Sequence, residues 1–492
     1  MKSTEELSSL EVIDKTTEEY DLVILGGGTG GTIAAWTFAS QGQRIAVIER
    51  KYVGGSCPNI ACLPSKNIIH SAKVASYLRR SEEFGIAKRD FAVDMHIVRE
   101  RKRRMVSGWN DAYLGNYQKS GAELIFGSGR FIGPRTIEVT LPDGTARQLR
   151  GTNVIINTGT RAAFEAIPGL VDAQPLTHIE ALELDEVPEH LLVIGGGYIG
   201  LEMSQTMRRF GSKVTLVDRN DRLLHREDDD VTEALQSLFD EEGIDVVLNA
   251  RIKQISGKSG QSVRILVDKK GNATEKALEG SHLLVAAGRA PNTQGIGLEL
   301  AGVELTDRGY IKVSERLETT APGVWAIGEV AGSSQFTHVS VDDFRVVHDS
   351  LSGGKRVTTG RQVPFCLFTD PELARIGLSE KEAKAQGIAY RLFKIPMEAV
   401  MRASTLSETR GFFKALVAVD GDRILGFTGF GVGAAEIMTS VQIAMGAGLP
   451  YTVLRDTILT HPTLVEGLIP LFLSAPSVQK IADDAALTRT LA

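Results

Sequence analysis

The chain has 492 residues, of which 42% are hydrophobic and 24% charged, and its formal net charge is −6. That length is enough for about three domains, and the mildly acidic balance argues against a nucleic-acid partner. Three cysteines are too few for a secreted disulfide framework, so the composition favours a reducing, cytoplasmic setting. No apolar run approaches the length of a membrane span. Residues 1–19 are acidic and polar, and we interpret them as a mobile leader.

The first predicted element is a strand from Leu22 to Leu25 that runs into a glycine-rich turn and a helix. A second predicted strand, Arg44 to Ile48, is followed at once by Glu49. Such a turn lets a pyrophosphate approach the backbone at a helix N-terminus, and the acidic residue can accept hydrogen bonds from ribose hydroxyls. The pattern therefore predicts a dinucleotide site rather than a merely structural turn. Its glycines are Gly26, Gly28 and Gly31.

Two of the three cysteines, Cys57 and Cys62, follow in the spacing C-x4-C. A disulfide between them would close a short loop and add only about 2 kcal/mol of stability. We therefore favour a redox couple, because the start of the predicted helix from Asn67 to Arg80 can lower a thiol pKa. Two buried thiols or half of a zinc site are the alternatives. A zinc site needs further ligands at short spacing, and only His70 is near.

A dense basic run follows at residues 99–104. On a long helix such a run is typically a solvated face, which is the interpretation we favour. Nucleic-acid binding would need an aromatic platform or a broader basic surface, and neither is visible in the sequence.

The glycine pattern returns 169 positions later, which predicts a second dinucleotide site. Two such sites in one chain indicate one flavin adenine dinucleotide (FAD) and one nicotinamide cofactor. The acidic residue of the second copy, Asp218, would repel a 2′-phosphate, so NADH is favoured over NADPH. Arg219 and Arg222 leave NADPH open, since either could approach a 2′-phosphate. The residues of the second copy are Gly195, Gly197, Gly200 and Asp218, which match Gly26, Gly28, Gly31 and Glu49.

At these motifs the chain resembles the class I flavoprotein disulfide oxidoreductases, in the branch of dihydrolipoyl dehydrogenase and mercuric reductase. The resemblance runs from about Tyr20 to the C-terminal region, and it implies an enzyme that carries FAD and NAD. It further implies that Cys57 exchanges with the substrate and that Cys62 lies against the flavin. By the same matching, Lys66 and Glu202 form an ion pair beside the flavin, and Tyr198 covers the flavin until nicotinamide displaces it.

Three later segments resemble parts of that family's cofactor sites. The first, Val154 to Gly159, resembles a strand leading into a turn, with Asn157 where the family has Ala. The second, Leu283 to Asn292, resembles the return to the flavin domain. The third, Thr319 to Gly328, precedes an acidic residue where the family has an Asp bound to the ribityl chain. The cofactor-binding positions implied here are Gly159, Gly288 and Glu329.

From about Val363 the sequence resembles the family's dimerisation domain. Its predicted elements are strands from Phe412 to Val419 and from Ile424 to Phe430, and a helix from Ala434 to Met445. The third cysteine, Cys366, lies in an apolar segment and is interpreted as a small buried hydrophobe.

The segment HPTLVE near the C-terminus matches the family's HPTxxE box. His461 would be the acid/base of thiol exchange, and Glu466 would orient it. Taken alone, a His before Pro is more often a loop residue. In the family this box reaches the dithiol of the other subunit, so the resemblance implies a homodimer with a shared active site.

The predicted architecture is α/β, with two Rossmann-like dinucleotide-binding domains for FAD and NAD and a C-terminal α+β dimerisation domain. The predicted boundaries are 1–19 for the leader, 20–164 and 288–360 for the two parts of the FAD domain, 165–287 for the NAD(P) domain and 361–492 for the dimerisation domain.

The predicted function is transfer of reducing equivalents from NAD(P)H through FAD to a Cys57–Cys62 disulfide and on to a disulfide or dithiol substrate, as in dihydrolipoyl dehydrogenase. No metal site, nucleic-acid partner or membrane partner is predicted. Mercury is disfavoured as the substrate, because the tail after residue 476 has no cysteine and His461 stands where mercuric reductases commonly have Tyr. Pro58 and Ala61 depart from the family's dithiol motif, which motivates the hypothesis that the acceptor is neither lipoamide nor glutathione disulfide.

Three other functions stay open from the sequence. The chain could be a metal-ion reductase, or it could reduce oxygen, a quinone or a second nicotinamide without the dithiol. It could also be a component of a multienzyme complex, although no docking segment is evident and this alternative rests on fold analogy.

Overall fold

The structure is a computed structural model that describes residues 17–269 and 272–479. Within those ranges, no helix is both long enough and apolar enough to cross a membrane. The strands are β1 (Glu18–Leu25), β2 (Ile45–Glu49), β3 (Glu123–Phe126), β4 (Ser128–Gly133), β5 (Thr136–Thr140), β6 (Ala146–Ile156), β7 (Thr160–Ala162), β8 (His190–Ile194), β9 (Lys213–Val217), β10 (Asp245–Val247), β11 (Ala250–Lys258), β12 (Ser262–Lys269), β13 (Asn272–Gly280), β14 (His282–Val285), β15 (Arg289–Pro291), β16 (Val324–Ala326), β17 (Phe365–Leu367), β18 (Glu372–Gly377), β19 (Tyr390–Pro396), β20 (Phe412–Ala418), β21 (Ile424–Gly431) and β22 (Ser477–Gln479). The α-helices are α1 (Thr29–Ser40), α2 (Ser56–Ile60), α3 (Cys62–Arg79), α4 (Met95–Ser120), α5 (His178–Ala181), α6 (Tyr198–Phe210), α7 (Asp229–Glu241), α8 (Leu298–Ala301), α9 (Thr337–Leu351), α10 (Glu380–Ala385), α11 (Met401–Thr405), α12 (Ala434–Gly446), α13 (Tyr451–Asp456) and α14 (Leu468–Leu473).

The chain divides into two compact units, each assembled from three segments. The first unit consists of the described parts of Met1–Asn59, Val106–Arg161 and Ala290–Thr359. The second consists of the described parts of Ile60–Met105, Ala162–Arg289 and Gly360–Ala492.

The first unit is built on a mixed sheet in the order β3-β2-β1-β6-β5-β4, with β16 also paired to β6. Strands β1, β2, β3, β6 and β16 run parallel to one another, whereas β5 pairs antiparallel with both β6 and β4. Val23 in β1 is aligned with Ala46 on one side and Val154 on the other, and all three are fully buried. Buried parallel strands of this kind carry continuous apolar runs, as in the predicted first strand.

Strand β1 begins earlier than the sequence pattern indicated. Glu18 and Glu19 already pair with Leu149 and Arg150 of β6, and the guanidinium of Arg147 donates to both carboxylate oxygens of Glu18 at 2.7 and 2.8 Å. These two acidic residues therefore belong to the sheet, although they were predicted to be part of the leader. Residues 1–16 of that leader lie outside the described residues.

The second unit contains two further sheets before its C-terminal part. The first of these is parallel, in the order β10-β9-β8-β14, with Leu192 of β8 aligned with Thr215 of β9. The other is the antiparallel sheet β11-β12-β13. Strand β8, a glycine turn and helix α6 follow one another along the chain, which is the order predicted for the second dinucleotide site.

The C-terminal part of the second unit is an antiparallel sheet in the order β17-β18-β21-β20-β19-β22. The predicted bounds of strands β20 and β21 and of helix α12 agree with the observed bounds to within one residue. Every residue of β20 and β21 is buried, so both faces of these central strands are covered. Because both faces are buried, these two strands are largely apolar runs, which are easy to recognise in the sequence.

The interpretation of residues 99–104 as a solvated face was wrong in part. Lys102 is only 2% exposed, because its ammonium donates to the backbone carbonyl of Leu182 at 2.9 Å and pairs with Glu183. Burial lowers the pKa of Lys102, although Glu183 opposes that shift. Arg103 also bonds Glu183, at 2.7 Å. The run therefore anchors the N-terminal half of α4 to the segment after α5 through ion pairs and a buried hydrogen bond.

Candidate active site

The first glycine loop joins β1 to α1 in the first unit. Gly26 has a φ of +104°, a conformation that favours glycine. Gly28 is the N-cap of α1 and contributes no side-chain hydrogen bond to the helix start. The first-turn N–H groups are therefore left for a ligand, as a pyrophosphate site requires.

Glu49 closes this loop from the end of β2. Its Oε2 accepts a hydrogen bond from the backbone N–H of Gly27 at 2.8 Å. Its Oε1 accepts from the N–H groups of Lys51 and Tyr52, at 2.8 and 3.0 Å. The carboxylate is thus fixed by the backbone beside the glycine turn, at the position predicted for the ribose-binding acid.

Asn157 is a component of the loop whose role sequence reasoning did not identify. It is 7% exposed, and its Nδ2 donates to the carbonyl of Gly26 at 3.4 Å. A Cβ atom placed on Gly28 or Gly31 would lie only 2.7 or 2.8 Å from that same Nδ2. The amide thus occupies the space left by the two glycines, and its replacement of the family's Ala was the signal available in the sequence.

Two predicted positions of the flavin site lie elsewhere in the first unit. Gly159 has a φ of +64°, and nothing lies within 4 Å of where its Cβ would be. Glu329 accepts a hydrogen bond from the hydroxyl of Thr160, which is the residue that follows Gly159 in the chain. Asp343, which the sequence did not single out, accepts from the N–H of Gly328 at 2.7 Å. An uncapped helix start, open space at Gly159 and a fixed acid together fit an FAD-binding site.

Cys57 lies in α2 and is half-buried. The preceding turn is held by Asn59, whose amide donates to the carbonyls of Val53 and Gly55, both at 2.8 Å. A Cβ on Gly54 would meet the ring of Tyr113 at 2.6 Å, so this tyrosine packs directly on the turn. Burial, and secondarily the negative charge of Cys57, raises the pKa of Tyr113. Tyr113 is a neighbour of Cys57 that the sequence did not indicate.

Cys62 is the first residue of α3 in the second unit. The predicted helix began at Asn67, so the observed helix starts five residues earlier and includes the second cysteine. Ala61, at the N-cap, provides no side-chain hydrogen bond. The first turn of a helix stabilises a negative charge, which favours the thiolate form of a cysteine placed there.

Lys66 and Glu202 form an ion pair within the second unit. Nζ of Lys66 lies 2.8 Å from Oε2 of Glu202, whose residue is 6% exposed. The other carboxylate oxygen accepts a hydrogen bond from the backbone N–H of Phe368 at 3.0 Å. The ammonium also sits 4.7 Å from the centre of the Phe368 ring. This pair links helices α3 and α6.

The second glycine loop opens on a cavity of about 1240 Å³. Gly195 has a φ of +107°, and Gly197 caps α6 without a side-chain hydrogen bond. A Cβ on Gly200 would lie 1.9 Å from the carbonyl oxygen of Gly195, so only glycine fits there. The predicted cofactor-binding residues that line this cavity are Gly195, Gly197, Asp218 and Gly288.

Asp218 is held as Glu49 is held in the first loop. Its Oδ2 accepts from the N–H of Gly196, and its Oδ1 accepts from the backbone and side-chain nitrogens of Asn220, both at 2.7 Å. The two arginines that left NADPH open each have a carboxylate partner: Arg219 pairs with Glu165 at 3.2 Å, and Arg222 pairs with Asp229. This donor and acceptor set fits a dinucleotide without a 2′-phosphate.

Tyr198, the first residue of α6, also lines the cavity. Its ring lies 5.8 Å from the ring of Phe365, and burial raises the pKa of its hydroxyl. The neighbouring Cys366 is half-buried, and burial raises the pKa of its thiol. A raised thiol pKa means little thiolate near neutral pH, which agrees with the interpretation of Cys366 as a small hydrophobe.

His461 and Glu466 come together after α13. Nδ1 of His461 lies 3.0 Å from Oε2 and 3.1 Å from Oε1 of Glu466. The imidazole is 60% exposed, whereas the glutamate side chain is 18% exposed. The carboxylate thus fixes the ring through one nitrogen and leaves Nε2 to face outwards, which suits proton exchange with a group from outside the chain.

Three carboxylates in the second unit lie as close together as the ligands of a cation site. Asp228, Asp230 and Glu380 surround the ammonium of Lys414 at 2.8, 2.7 and 3.0 Å. Lys414 is fully buried, so its charge already occupies the centre of the cluster. The cluster therefore tightens packing between α7, α10 and β20.

Comparison with protein-family models gives two matches. Residues 20–343 match the model described as pyridine nucleotide-disulphide oxidoreductase, and residues 363–470 match the dimerisation domain of the same class. Together they cover both glycine loops, the two cysteines and the His461–Glu466 pair.

Curated relatives align over nearly the full chain. The probable pyridine nucleotide-disulfide oxidoreductase RclA of Escherichia coli is 35% identical, with 92% of this chain and 99% of that protein covered. Dihydrolipoyl dehydrogenase of Bacillus subtilis is 33% identical, with 92% and 96% covered. Mercuric reductase of Staphylococcus aureus is 32% identical, with 92% and 81% covered. A solved Cu(II) complex of the E. coli flavoprotein disulfide reductase RclA, which is HOCl-induced, superposes with a TM-score of 0.84 at 34% identity, covering 93% of this chain and 99% of that chain.

Proposed function

Because the chain belongs to the pyridine nucleotide-disulphide oxidoreductase family, we propose that it uses NADH to reduce a Cys57–Cys62 disulfide that then reduces a disulfide substrate. Membership makes it an FAD-dependent oxidoreductase that uses NAD(P)H, and its dimerisation domain indicates a homodimer. The preference for NADH rests on Asp218 and on the carboxylate partners of Arg219 and Arg222. A cytoplasmic setting is part of the proposal, on the basis of cysteine usage.

Bound FAD supplies the two-electron relay between nicotinamide and thiols. In the reductive half, NADH gives up a hydride, the Cys57–Cys62 bond breaks, and one proton is taken up, which yields NAD⁺ and two thiols. The role proposed for the Lys66–Glu202 pair is to place a positive charge near the flavin side of this exchange. The helix start at Cys62 would favour its thiolate, and Tyr198 would control access to the cavity.

In the second half, the Cys57 thiolate attacks the substrate disulfide, a mixed disulfide forms, and the first substrate thiolate leaves. Cys62 then attacks Cys57, the internal disulfide returns, and the second substrate thiol leaves. Each thiolate that leaves needs a proton, and each attacking thiol must lose one. We assign this proton transfer to His461, oriented by Glu466 and contributed by the partner subunit, since the family resemblance implies a shared active site.

The observation that carries this proposal is the 3.0 Å contact between His461 Nδ1 and Glu466 Oε2. A largely exposed imidazole with its inner nitrogen fixed by a carboxylate is suited to thiol exchange at an interface. Direct transfer of electrons from flavin to oxygen or a quinone has no use for it. The His461–Glu466 pair therefore supports the dithiol route over direct electron transfer from the flavin to oxygen or a quinone.

The test is anaerobic oxidation of NADH by the holoenzyme with lipoamide, low-molecular-weight disulfides, metal ions and quinones as separate acceptors. The proposal expects turnover with at least one disulfide and loss of that turnover in both Cys57→Ser and Cys62→Ser. Cys366→Ser is the matched control and should keep wild-type activity. Turnover that survives both dithiol substitutions would move the assignment to an oxidase, quinone reductase or transhydrogenase. Fast turnover with lipoamide would contradict the hypothesis drawn from Pro58 and Ala61.

A second candidate acceptor is a redox-active metal ion. The observation that favours it is the solved Cu(II) complex of RclA, which shares 34% identity with this chain over 93% of its length. One NADH would then reduce two Cu(II) ions to Cu(I), with release of NAD⁺ and one proton. In the same acceptor panel, Cu(II)-dependent NADH oxidation that exceeds the rate with every disulfide would favour this candidate. Co-purification with an acyltransferase core would instead indicate a component role.

A further inference from the structure

The dithiol loop contains a proline between its two cysteines, and the proposed chemistry gives this residue no role. Pro58 is buried and is the third residue of α2, directly after Cys57. The first four N–H groups of a helix have no partner within the helix, so a proline at this position removes no helical hydrogen bond. Its ring also fixes φ near the helical value. Pro58 therefore restricts the loop without disturbing the helix that contains Cys57.

The ring of Pro58 packs on the turn that precedes Cys57. Gly54 in that turn has a φ of +79°. A Cβ placed on Gly54 would lie 2.9 Å from Cγ of Pro58 and 2.6 Å from Cε1 of Tyr113, so both rings contact the same glycine. The ring of Tyr113 lies in turn 5.3 Å from the ring of Trp36. The position of Pro58 is thus fixed by packed aromatic side chains of the first unit.

The backbone on both sides of Cys57 is also held by other contacts. The amide of Asn59 donates to two carbonyls of the preceding turn, both at 2.8 Å. A Cβ on Gly55 would lie 2.5 Å from Cα of Gly28, so the turn lies directly on the first glycine loop. The segment around Cys57 therefore has little conformational freedom to gain when a disulfide in this loop opens.

That freedom contributes to the equilibrium between disulfide and dithiol. Reduction consumes two electrons and two protons, and it opens a ring that spans residues 57–62. The conformational entropy that the open loop gains favours the dithiol. A proline has few backbone conformations, so it reduces this gain in the same way as it reduces the entropy of an unfolded chain. A smaller gain shifts the equilibrium towards the disulfide.

We propose that Pro58 is a positioning residue that lowers the midpoint potential of the Cys57–Cys62 couple. A lower potential makes the reduced couple a stronger reductant, so it extends the range of disulfides that the dithiol can reduce. This inference rests on the proposed redox use of the two cysteines.

The experiment measures the midpoint potential of this couple in the holoenzyme. The protein is equilibrated anaerobically in buffers with graded ratios of reduced to oxidised dithiothreitol and is then quenched in acid. Labelling of Cys57 and Cys62 by an alkylating reagent is read by mass spectrometry. Pro58→Ala frees the backbone, and Pro58→Val frees it while keeping more apolar volume against Tyr113. Both should shift the equilibrium roughly two- to fivefold towards the dithiol, which raises the midpoint by about 10–20 mV.

Pro64→Ala is the matched control, because Pro64 is also the buried third residue of a helix but lies outside the 57–62 ring. It should leave the midpoint unchanged. An unchanged or lower midpoint in the Pro58 variants, or an equal rise in Pro64→Ala, would overturn the inference. If Pro58→Ala does not fold, the midpoint of Pro58→Val decides in the same way. Labelling of the wild-type cysteines that does not follow the buffer ratio would overturn the redox couple itself, and with it the proposed function.

Discussion

The ammonium of Lys66 lies 2.8 Å from a carboxylate oxygen of Glu202 and joins the first two turns of α3 to α6. The two partners differ in exposure, since the lysine side chain is 32% exposed and the glutamate side chain 7%. The pair is therefore asymmetric: the lysine can reach water, whereas the glutamate depends on the lysine and on the N–H of Phe368.

Lys66→Met is expected to lower stability by about 2 kcal/mol, because it leaves the buried carboxylate of Glu202 without its countercharge. Lys66→Arg, which keeps the positive charge, should lose much less stability. Thermal unfolding of the holoenzyme measures both. Equal melting temperatures for the two variants would show that the pair is not what holds α3 against α6.

Lys414→Met is expected to lower stability by about 4 kcal/mol near neutral pH, since it strands the surrounding carboxylates in a buried site. Burial opposes ionisation of Asp228, but the ammonium of Lys414 and the backbone N–H groups of Lys381 and Glu380 together outweigh it and hold the pKa of Asp228 below its usual value. This contribution is present above the unfolded pKa, about 4, and is lost as the pH falls through the lower folded pKa. The gap between wild type and variant should therefore narrow in acid.

The raised pKa of Lys414 sets an upper pH limit for the stabilisation that this cluster provides. Burial works against its charge, but Asp230 and Asp228 outweigh burial and raise the pKa. The stabilisation is complete below the unfolded pKa, about 10.4, and is lost as the pH rises through the higher folded pKa. Lys394→Met, which removes a half-exposed partner of Asp230, is the control and should cost no more than about 1 kcal/mol. A pH-independent gap in thermal unfolding would contradict this account.

Gly28→Ala is expected to destabilise the first unit by about 2 kcal/mol and to weaken FAD retention, since the new Cβ would lie 2.7 Å from Nδ2 of Asn157. In an Asn157→Ala background that contact is gone, so the same substitution should cost less. Melting temperatures of the four proteins in this cycle give the coupling between the two positions. If the effects of the two substitutions on stability are strictly additive, the Asn157 side chain moves aside at no energetic cost and does not restrict the residue at position 28.

Glu466→Gln and His461→Ala are expected to slow turnover with a disulfide acceptor by roughly 10-fold and 100-fold or more, respectively. Gln can still orient the imidazole but cannot stabilise its charged form, whereas Ala removes the proton carrier. Reduction of the bound flavin by NADH, followed by stopped flow, should be unchanged in both variants. A loss confined to that first step, with disulfide exchange intact, would rule out the role given to this pair.

The features that the sequence predicted best are those with a local cause. Strands β20 and β21 are apolar runs because both of their faces are covered, and the glycine loops follow from backbone conformations that few other residues adopt. Lys102 and Lys414 could not be predicted, because a buried lysine is indistinguishable in sequence from an exposed one until its partners are known. Those partners lie 80 residues away for Lys102 and between 34 and 186 residues away for Lys414. Asn157 was noticed as a departure, but its contact with Gly28 depends on the register between β1 and β6.

The most direct test of the proposed electron path is a map of thiols before and after addition of one equivalent of NADH under anaerobic conditions. The protein is denatured in an alkylating reagent, and labelling of each cysteine is read by mass spectrometry. The account predicts that Cys57 and Cys62 are protected as purified and become labelled together after NADH, while Cys366 is labelled in both samples. If labelling of Cys57 and Cys62 is the same with and without NADH although the flavin is reduced, the dithiol is not in the electron path and the central claim is wrong.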